Sequence, residues 1–190
     1  MTKGISLTTQ VHQIIQQNLS TGELAIDATV GNGHDTLFLS SLVGNSGLVF
    51  GFDVQQQAID ATQEKLNNKN SADNTQLFHC SHCKMEQQLA TEFHGRIKVI
   101  MFNLGYLPGS DKSVITQADS SLAALNQSLK LLTNNGLITI AAYPGHSGGD
   151  IETQMVEQWC EQLSAKHYKF ELILSSDKPT APRLFVIKAI

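Results

Sequence analysis

The chain has 190 residues, 41% of them hydrophobic and 16% charged, which suits one substantial core, is short for two enzyme domains, and excludes a disordered tail. No apolar run approaches the roughly 18 residues of a membrane span and no secretory leader is visible, so the cytoplasm is the expected location. The formal charge of -4 argues against strong non-specific nucleic-acid binding, although residues 1–95 hold 4 Lys/Arg against 9 Asp/Glu and residues 96–190 hold 9 against 8, which leaves room for a local basic patch in the second half.

An amphipathic pattern over residues 7–19 opens the chain as a helix. A short apolar run at 24–29 then reads as a strand, followed by a helix over 35–42, a strand at 48–53, a helix over 56–66 and a strand at 75–79. The alternation continues with a strand at 99–103, a helix over 113–132, a strand at 136–142 and a helix over 151–163. Strands at 170–175 and 184–189 close the pattern. Strands alternating with helices of this length imply crossover units and a layered α/β fold. The last two strands are separated only by residues 176–183, too few for a crossover helix, so a hairpin is expected and the final strand runs antiparallel to its neighbour. The expected architecture is a single α/β domain over residues 1–190, Rossmann-like, with a seven-stranded, mostly parallel sheet and helices on both faces.

The strongest local signal is Asp27-Ala28-Thr29-Val30-Gly31-Asn32-Gly33-His34-Asp35-Thr36, a glycine-rich turn between a strand and a helix. Gly31 and Gly33 can take positive φ and let the backbone approach a ligand. An ordinary strand-to-helix turn is the bland alternative. A dinucleotide fingerprint would place a third glycine where Thr36 stands, and the carboxylates of Asp27 and Asp35 would serve a pyrophosphate poorly. S-adenosyl-L-methionine has no phosphate and carries an ammonium and a sulfonium. Asp27 suits it, directly or through water. The cofactor candidates of this turn are therefore Asp27, Thr29, Gly31, Asn32, Gly33, Asp35 and Thr36. Asp53, at the end of the second strand, is positioned to accept hydrogen bonds from ribose hydroxyls, unless it is a solvated loop residue. Ser81 and His82, in the following loop, are expected near adenine, with a structural role for His82 kept open.

Substrate chemistry is expected at Asn103-Leu104-Gly105-Tyr106, where a polar residue emerges from an apolar strand. The sequence resembles the D/N-P-P-Y/F motif of amino-group methyltransferases, with Leu104 and Gly105 replacing the prolines. In that motif the Asn oxygen and a backbone carbonyl hold the target nitrogen, and the aromatic residue walls the pocket. A turn cap at Asn103 and a core aromatic at Tyr106 are the alternatives. The loop Tyr143-Pro144-Gly145-His146 offers Tyr143 for substrate binding and His146 as a proton acceptor near neutral pH, or as a plain surface residue. Lys112 is the first candidate for a substrate phosphate, with Arg183 second, and Ser113 can cap the helix that follows. The tract His79-Cys80-Ser81-His82-Cys83 contains preferred zinc ligands but lacks a second ligand pair, so no metal is expected.

Together, the Asp27–Thr36 turn, Ser81-His82, and Asn103-Leu104-Gly105-Tyr106-Leu107-Pro108-Gly109-Ser110-Asp111-Lys112-Ser113 resemble the rRNA methylase family, over essentially the whole chain. Members of that family have been identified as tRNA 5-aminomethyl-2-thiouridine methyltransferases of the class I fold. The resemblance implies methyl transfer from S-adenosyl-L-methionine to the exocyclic amine of a wobble uridine in tRNA, by a homodimer. It implies cofactor roles for Asp27, Gly31, Gly33 and Asp53, and positions Asn103 and Tyr106 at the amine with His146 near it. The alternatives are methylation of rRNA or of a small amine and, from another class, a non-catalytic cofactor-binding or RNA-interaction module.

Overall fold

The computed structural model describes residues 6–105, 116–145 and 148–190. Its strands are β1 (Leu24–Asp27), β2 (Leu48–Asp53), β3 (Thr75–His79), β4 (Ile97–Leu104), β5 (Leu132–Ala142), β6 (Tyr168–Leu174) and β7 (Arg183–Ala189). The α-helices are α1 (Leu7–Gln16), α2 (His34–Val43), α3 (Gln56–Asn68), the one-turn α4 (Met85–Gln88), α5 (Ala118–Leu131) and α6 (Gly149–Glu161). Among the described residues no helix is long and apolar enough to cross a membrane.

All seven strands form one sheet in the order β3-β2-β1-β4-β5-β7-β6. Every pairing from β3 to β5 is parallel, whereas β7 pairs antiparallel with both β5 and β6. The expected hairpin is present, with the last strand inserted between its two neighbours. This is the class I methyltransferase topology.

Two apolar layers cover the sheet, and strand parity decides which residue joins which. Along β4, Val99 and Met101 join Val11, Ile15 and Leu39 of α1 and α2 on one face. Ile100, Phe102 and Leu104 join Leu125 and Val156 of α5 and α6 on the other. Ile97 is two residues from Val99 yet lies with the second group, because a register irregularity separates them. α1 earns its position with Leu7, Val11 and Ile15, four residues apart on one stripe, and the Ser6 side chain caps its first turn by accepting from Thr9 N.

Several boundaries differ from the sequence reading. β5 begins at Leu132, directly after α5, rather than at 136. The segment Thr133-Asn134-Asn135-Gly136 resembles a turn in composition, and Asn135 does adopt a φ of 59°, but the chain rejoins the sheet around it. α1 stops at Gln16 instead of continuing to 19, and α6 starts at Gly149, two residues early.

Candidate active site

Strand order reverses beside β1, whose neighbours are β2 on one side and β4 on the other. The loops leaving β1 and β4 therefore diverge to opposite faces, and a crevice opens at the strands' carboxyl ends. A cleft of about 920 Å³ lies there, at the upper end of the range for small-molecule sites. Its lining joins the turn after β1, Asp53 at the end of β2, Ser81 and His82 after β3, Asn103 to Gly105 at the end of β4, and Tyr143 beyond β5.

The glycine turn is held from both sides. Gly31 has φ 53° and donates its N–H to Asp53 Oδ2 at 2.9 Å, while Asp53 Oδ1 accepts from Gln55 N at 2.9 Å. Each oxygen keeps a second lone pair, and Asp53 lines the cleft, so its carboxylate remains able to accept from a diol. Gly33, at φ 71°, starts α2 and lies against Thr62, whose side chain occupies the space a Cβ would need. Gly33 is outside the cleft lining. Lys65 Nζ donates to Asn32 O at 2.6 Å and fastens the tip of the turn to α3.

Asp27 also lies outside the lining, fully buried beneath it. Thr36 Oγ1 donates to its Oδ2 at 2.6 Å and Thr29 N donates to its Oδ1 at 3.2 Å. Burial first, then the nearby Asp35 carboxylate, push the Asp27 carboxyl up to about 7. Asp27 and Thr36 thus brace the turn from beneath and do not line the cleft.

Asp35, in the first turn of α2, is the hub of the opposite wall. Its Oδ2 accepts from Asn103 Nδ2 at 2.6 Å, and its Oδ1 is 2.6 Å from His12 Nε2. The backbone N of Asn103 donates to Thr29 Oγ1 at 2.7 Å. Tyr143 is close enough that Asp35, after burial, contributes to raising its phenol's pKa.

On the far side, His82 is only 8% exposed and its Nδ1 lies 3.2 Å from Ala28 O. Burial lowers its pKa, so the ring is neutral with Nδ1–H donating, and Nε2 is a buried acceptor with no partner among the described residues. Ser81 caps the turn that follows by accepting from Cys83 N at 3.3 Å. His79 is committed to Val54 O at 2.9 Å. Among the described residues, no three His, Cys, Asp or Glu side chains cluster as a metal would require.

The substrate side is bounded by Gly105 and Thr116, joined by Thr116 N donating to Gly105 O at 2.9 Å, with both residues lining the cleft. Tyr106, Lys112, Ser113 and His146 lie outside the described residues. Arg183, the second phosphate candidate, is paired with Glu157 at 2.6 Å. Sequence reasoning missed His12, Thr116 and Thr180. The first acts from a helix 23 residues upstream of its partner, and the last reaches the cleft from the β6–β7 turn; neither carries a local motif.

The cleft therefore offers a glycine turn that allows close backbone approach, a carboxylate with free acceptor capacity at the end of β2, and a second carboxylate beside an amide. Two acidic groups at the lining favour a cationic ligand and disfavour a pyrophosphate.

The family model for rRNA methylases matches residues 49–188. An Arabidopsis thaliana protein named "tRNA (mnm(5)s(2)U34)-methyltransferase, chloroplastic" is 35% identical, over 93% of this chain and 67% of that one. A Clostridium thermocellum protein named as an rRNA methylase superposes over 100% of both chains with a TM-score of 0.92 and 35% identity. A Streptococcus mutans protein named as a methyltransferase, solved in complex with SAH, superposes over 99% of this chain and 100% of that one with a TM-score of 0.85 and 34% identity.

Proposed function

This chain belongs to the rRNA methylase family, and from that premise we propose that it methylates the exocyclic amine of 5-aminomethyl-(2-thio)uridine at the wobble position of tRNA. The product is 5-methylaminomethyl-(2-thio)uridine, and S-adenosyl-L-methionine leaves as S-adenosyl-L-homocysteine. The protein is an S-adenosylmethionine-dependent methyltransferase of RNA. The choice of a tRNA wobble amine is supported by the name of the Arabidopsis relative and by one observation in this molecule. That observation is Asn103, held at the mouth of β4 with its amide nitrogen committed to Asp35.

When bound, S-adenosyl-L-methionine supplies a methyl carbon made electrophilic by the adjoining sulfonium. Asp53 accepts from the ribose hydroxyls, and the Gly31 turn admits the amino-acid end. Thr29, Asn32 and Asp35 border that end, with Asp27, Gly33 and Thr36 bracing the turn from beneath. Ser81 and the neutral ring of His82 wall the adenine. Asn103 does the work on the substrate. Because its Nδ2 donates to Asp35, its Oδ1 is the end left to accept an N–H of the target amine and aim the lone pair in line with the methyl group. The amine must be neutral to attack, and His146 is the proposed proton acceptor. Tyr106 and Tyr143 are proposed to flank the base, and Lys112 to meet a phosphate. The proposed working form is a cytoplasmic homodimer, which sedimentation equilibrium and cell fractionation would check.

The deciding experiment is mass spectrometry of nucleosides from tRNA bearing the 5-aminomethyl group, incubated with the protein and S-adenosylmethionine. A gain of one methyl on that nucleoside is expected. Methylation found only in rRNA, or only on a free amine, would replace this substrate with that one.

A further inference from the structure

We propose that His12 is a positioning residue for methyl transfer, acting through Asp35 to hold the Asn103 amide with its oxygen turned to the cleft. The inference rests on the amine-directed role of Asn103 given above.

Three contacts carry it. His12 Nε2 lies 2.6 Å from Asp35 Oδ1, Asn103 Nδ2 lies 2.6 Å from Asp35 Oδ2, and the His12 ring stacks on Phe38 with centroids 3.8 Å apart and planes 8° from parallel. The His12 side chain is 28% exposed and that of Asp35 16%, so the carboxylate at the centre is the more sheltered of the two, while Asn103 at the inner end borders the cleft.

Each link removes one freedom. The backbone of Asn103 is fixed by its N–H on Thr29 Oγ1, which leaves rotation of its side-chain amide as the variable that matters. An amide has a donor end and an acceptor end, and a carboxylate can only accept, so Asp35 selects the orientation with Nδ2 toward itself. A carboxylate holding a single partner could still swing about its own side-chain bonds. His12 occupies the other oxygen, and Phe38 fixes the plane of the imidazole. The donor on α1 thus sets the angle of an acceptor on β4 through a carboxylate on α2. A displacement of the acceptor by a fraction of an ångström is enough to matter for in-line attack.

The test uses His12→Leu, which keeps an apolar surface on Phe38 but has no donor, and His12→Gln, whose amide N–H can replace Nε2–H. Single-turnover methyl transfer to 5-aminomethyl tRNA, calorimetric S-adenosylhomocysteine affinity, and the NMR signals of the Asn103 side-chain amide are measured for each. His12→Leu is expected to lower the rate about tenfold while cofactor affinity stays within about threefold. His12→Gln should recover most of the rate. In an Asn103→Ala background, His12→Leu should cost nothing further, because the residue it positions is gone. The Asn103 amide protons should exchange faster with water in His12→Leu and remain protected in His12→Gln. Equal rate losses in both backgrounds, a His12→Gln protein as slow as His12→Leu, or Asn103 amide signals indifferent to both changes would overturn the proposal. If the parent protein fails to methylate this tRNA, the substrate assignment falls, while the amide signals still decide the role of His12.

Discussion

Asp53 has two proposed duties on one carboxylate, since each oxygen already accepts one backbone N–H, each retains a second lone pair, and the residue lines the cleft. Replacing it with Ala removes the proposed ribose acceptor and also frees the N–H of Gly31. The expected cost is about 1.5–3 kcal/mol of S-adenosylhomocysteine affinity, the scale of charge-assisted hydrogen bonds, measured by calorimetry. Unchanged affinity in a folded variant would remove the assignment. Asn103→Ala should show the opposite profile. Cofactor affinity should persist, while the single-turnover rate falls by about 10²–10³, equivalent to roughly 2.7–4 kcal/mol of lost orientation and polar stabilisation. An Asn103→Ala protein that reacts at the parent rate would end this account of the site. Both residues are legible in the sequence because each is a polar residue terminating an apolar strand, and in an open α/β sheet such ends face the ligand. Asp27 has the same local signature yet lies beneath the floor. β1 lies centrally in the sheet, and the turn that follows it folds over its end. Strand position gives the neighbourhood; the direction of the next turn decides contact.

Between elements, Glu152 explains how the substrate side is kept in register. It lies in the first turn of α6, almost fully buried, and accepts from Thr116 Oγ1 and Ser121 Oγ, each at 2.6 Å. Ser121 belongs to α5 and Thr116 borders the cleft, so one carboxylate ties two helices to the rim of the site. The helix dipole favours a negative charge in that first turn. Glu152→Leu would strand one buried and one half-buried hydroxyl and is expected to destabilise the fold by about 2–4 kcal/mol in urea denaturation, whereas Glu152→Gln, able to bond both hydroxyls, should lose less than half of that. Equal losses would mean that packing rather than the hydroxyl pair sets the cost. Nothing in the local sequence announces this contact, since the three residues span 36 positions and belong to separate elements. The same limit applies to β7. Its alternation and the short preceding loop predict an antiparallel strand, but its insertion between β5 and β6 is settled by which edges remain to be covered. Likewise, the displaced parity at Ile97 depends on pairing with β1 and β5, which no periodicity within β4 encodes.

At the scale of the whole molecule, the cost of building a cation-binding cleft should appear in how stability depends on pH. The carboxyl of Asp27 ordinarily titrates near 3.8, and in the folded chain burial and the proximity of Asp35 carry it to about 7. The folded state therefore binds more protons than the unfolded state between those values. By linkage, the contribution of Asp27 to stability declines as pH rises from about 4 and is fully lost above about 7, by an amount on the order of 4 kcal/mol at most. His82 works in the other direction. Burial holds its ring neutral, so stability declines as pH falls below its ordinary value of 6.5. A bare stability profile would mix the two, and a comparison with Asp27→Asn separates them. The carboxamide can still accept from Thr29 N and can donate to Thr36 Oγ1, so the brace survives while the titration does not. The parent should be at least as stable as Asp27→Asn near pH 4 and should lose ground to it steadily up to about pH 8, as measured by urea denaturation at each pH. Two profiles that stay parallel across that range would mean that Asp27 is ionised at little cost, and that the glycine turn rests on a permanent charge rather than on a proton it gives up near neutrality.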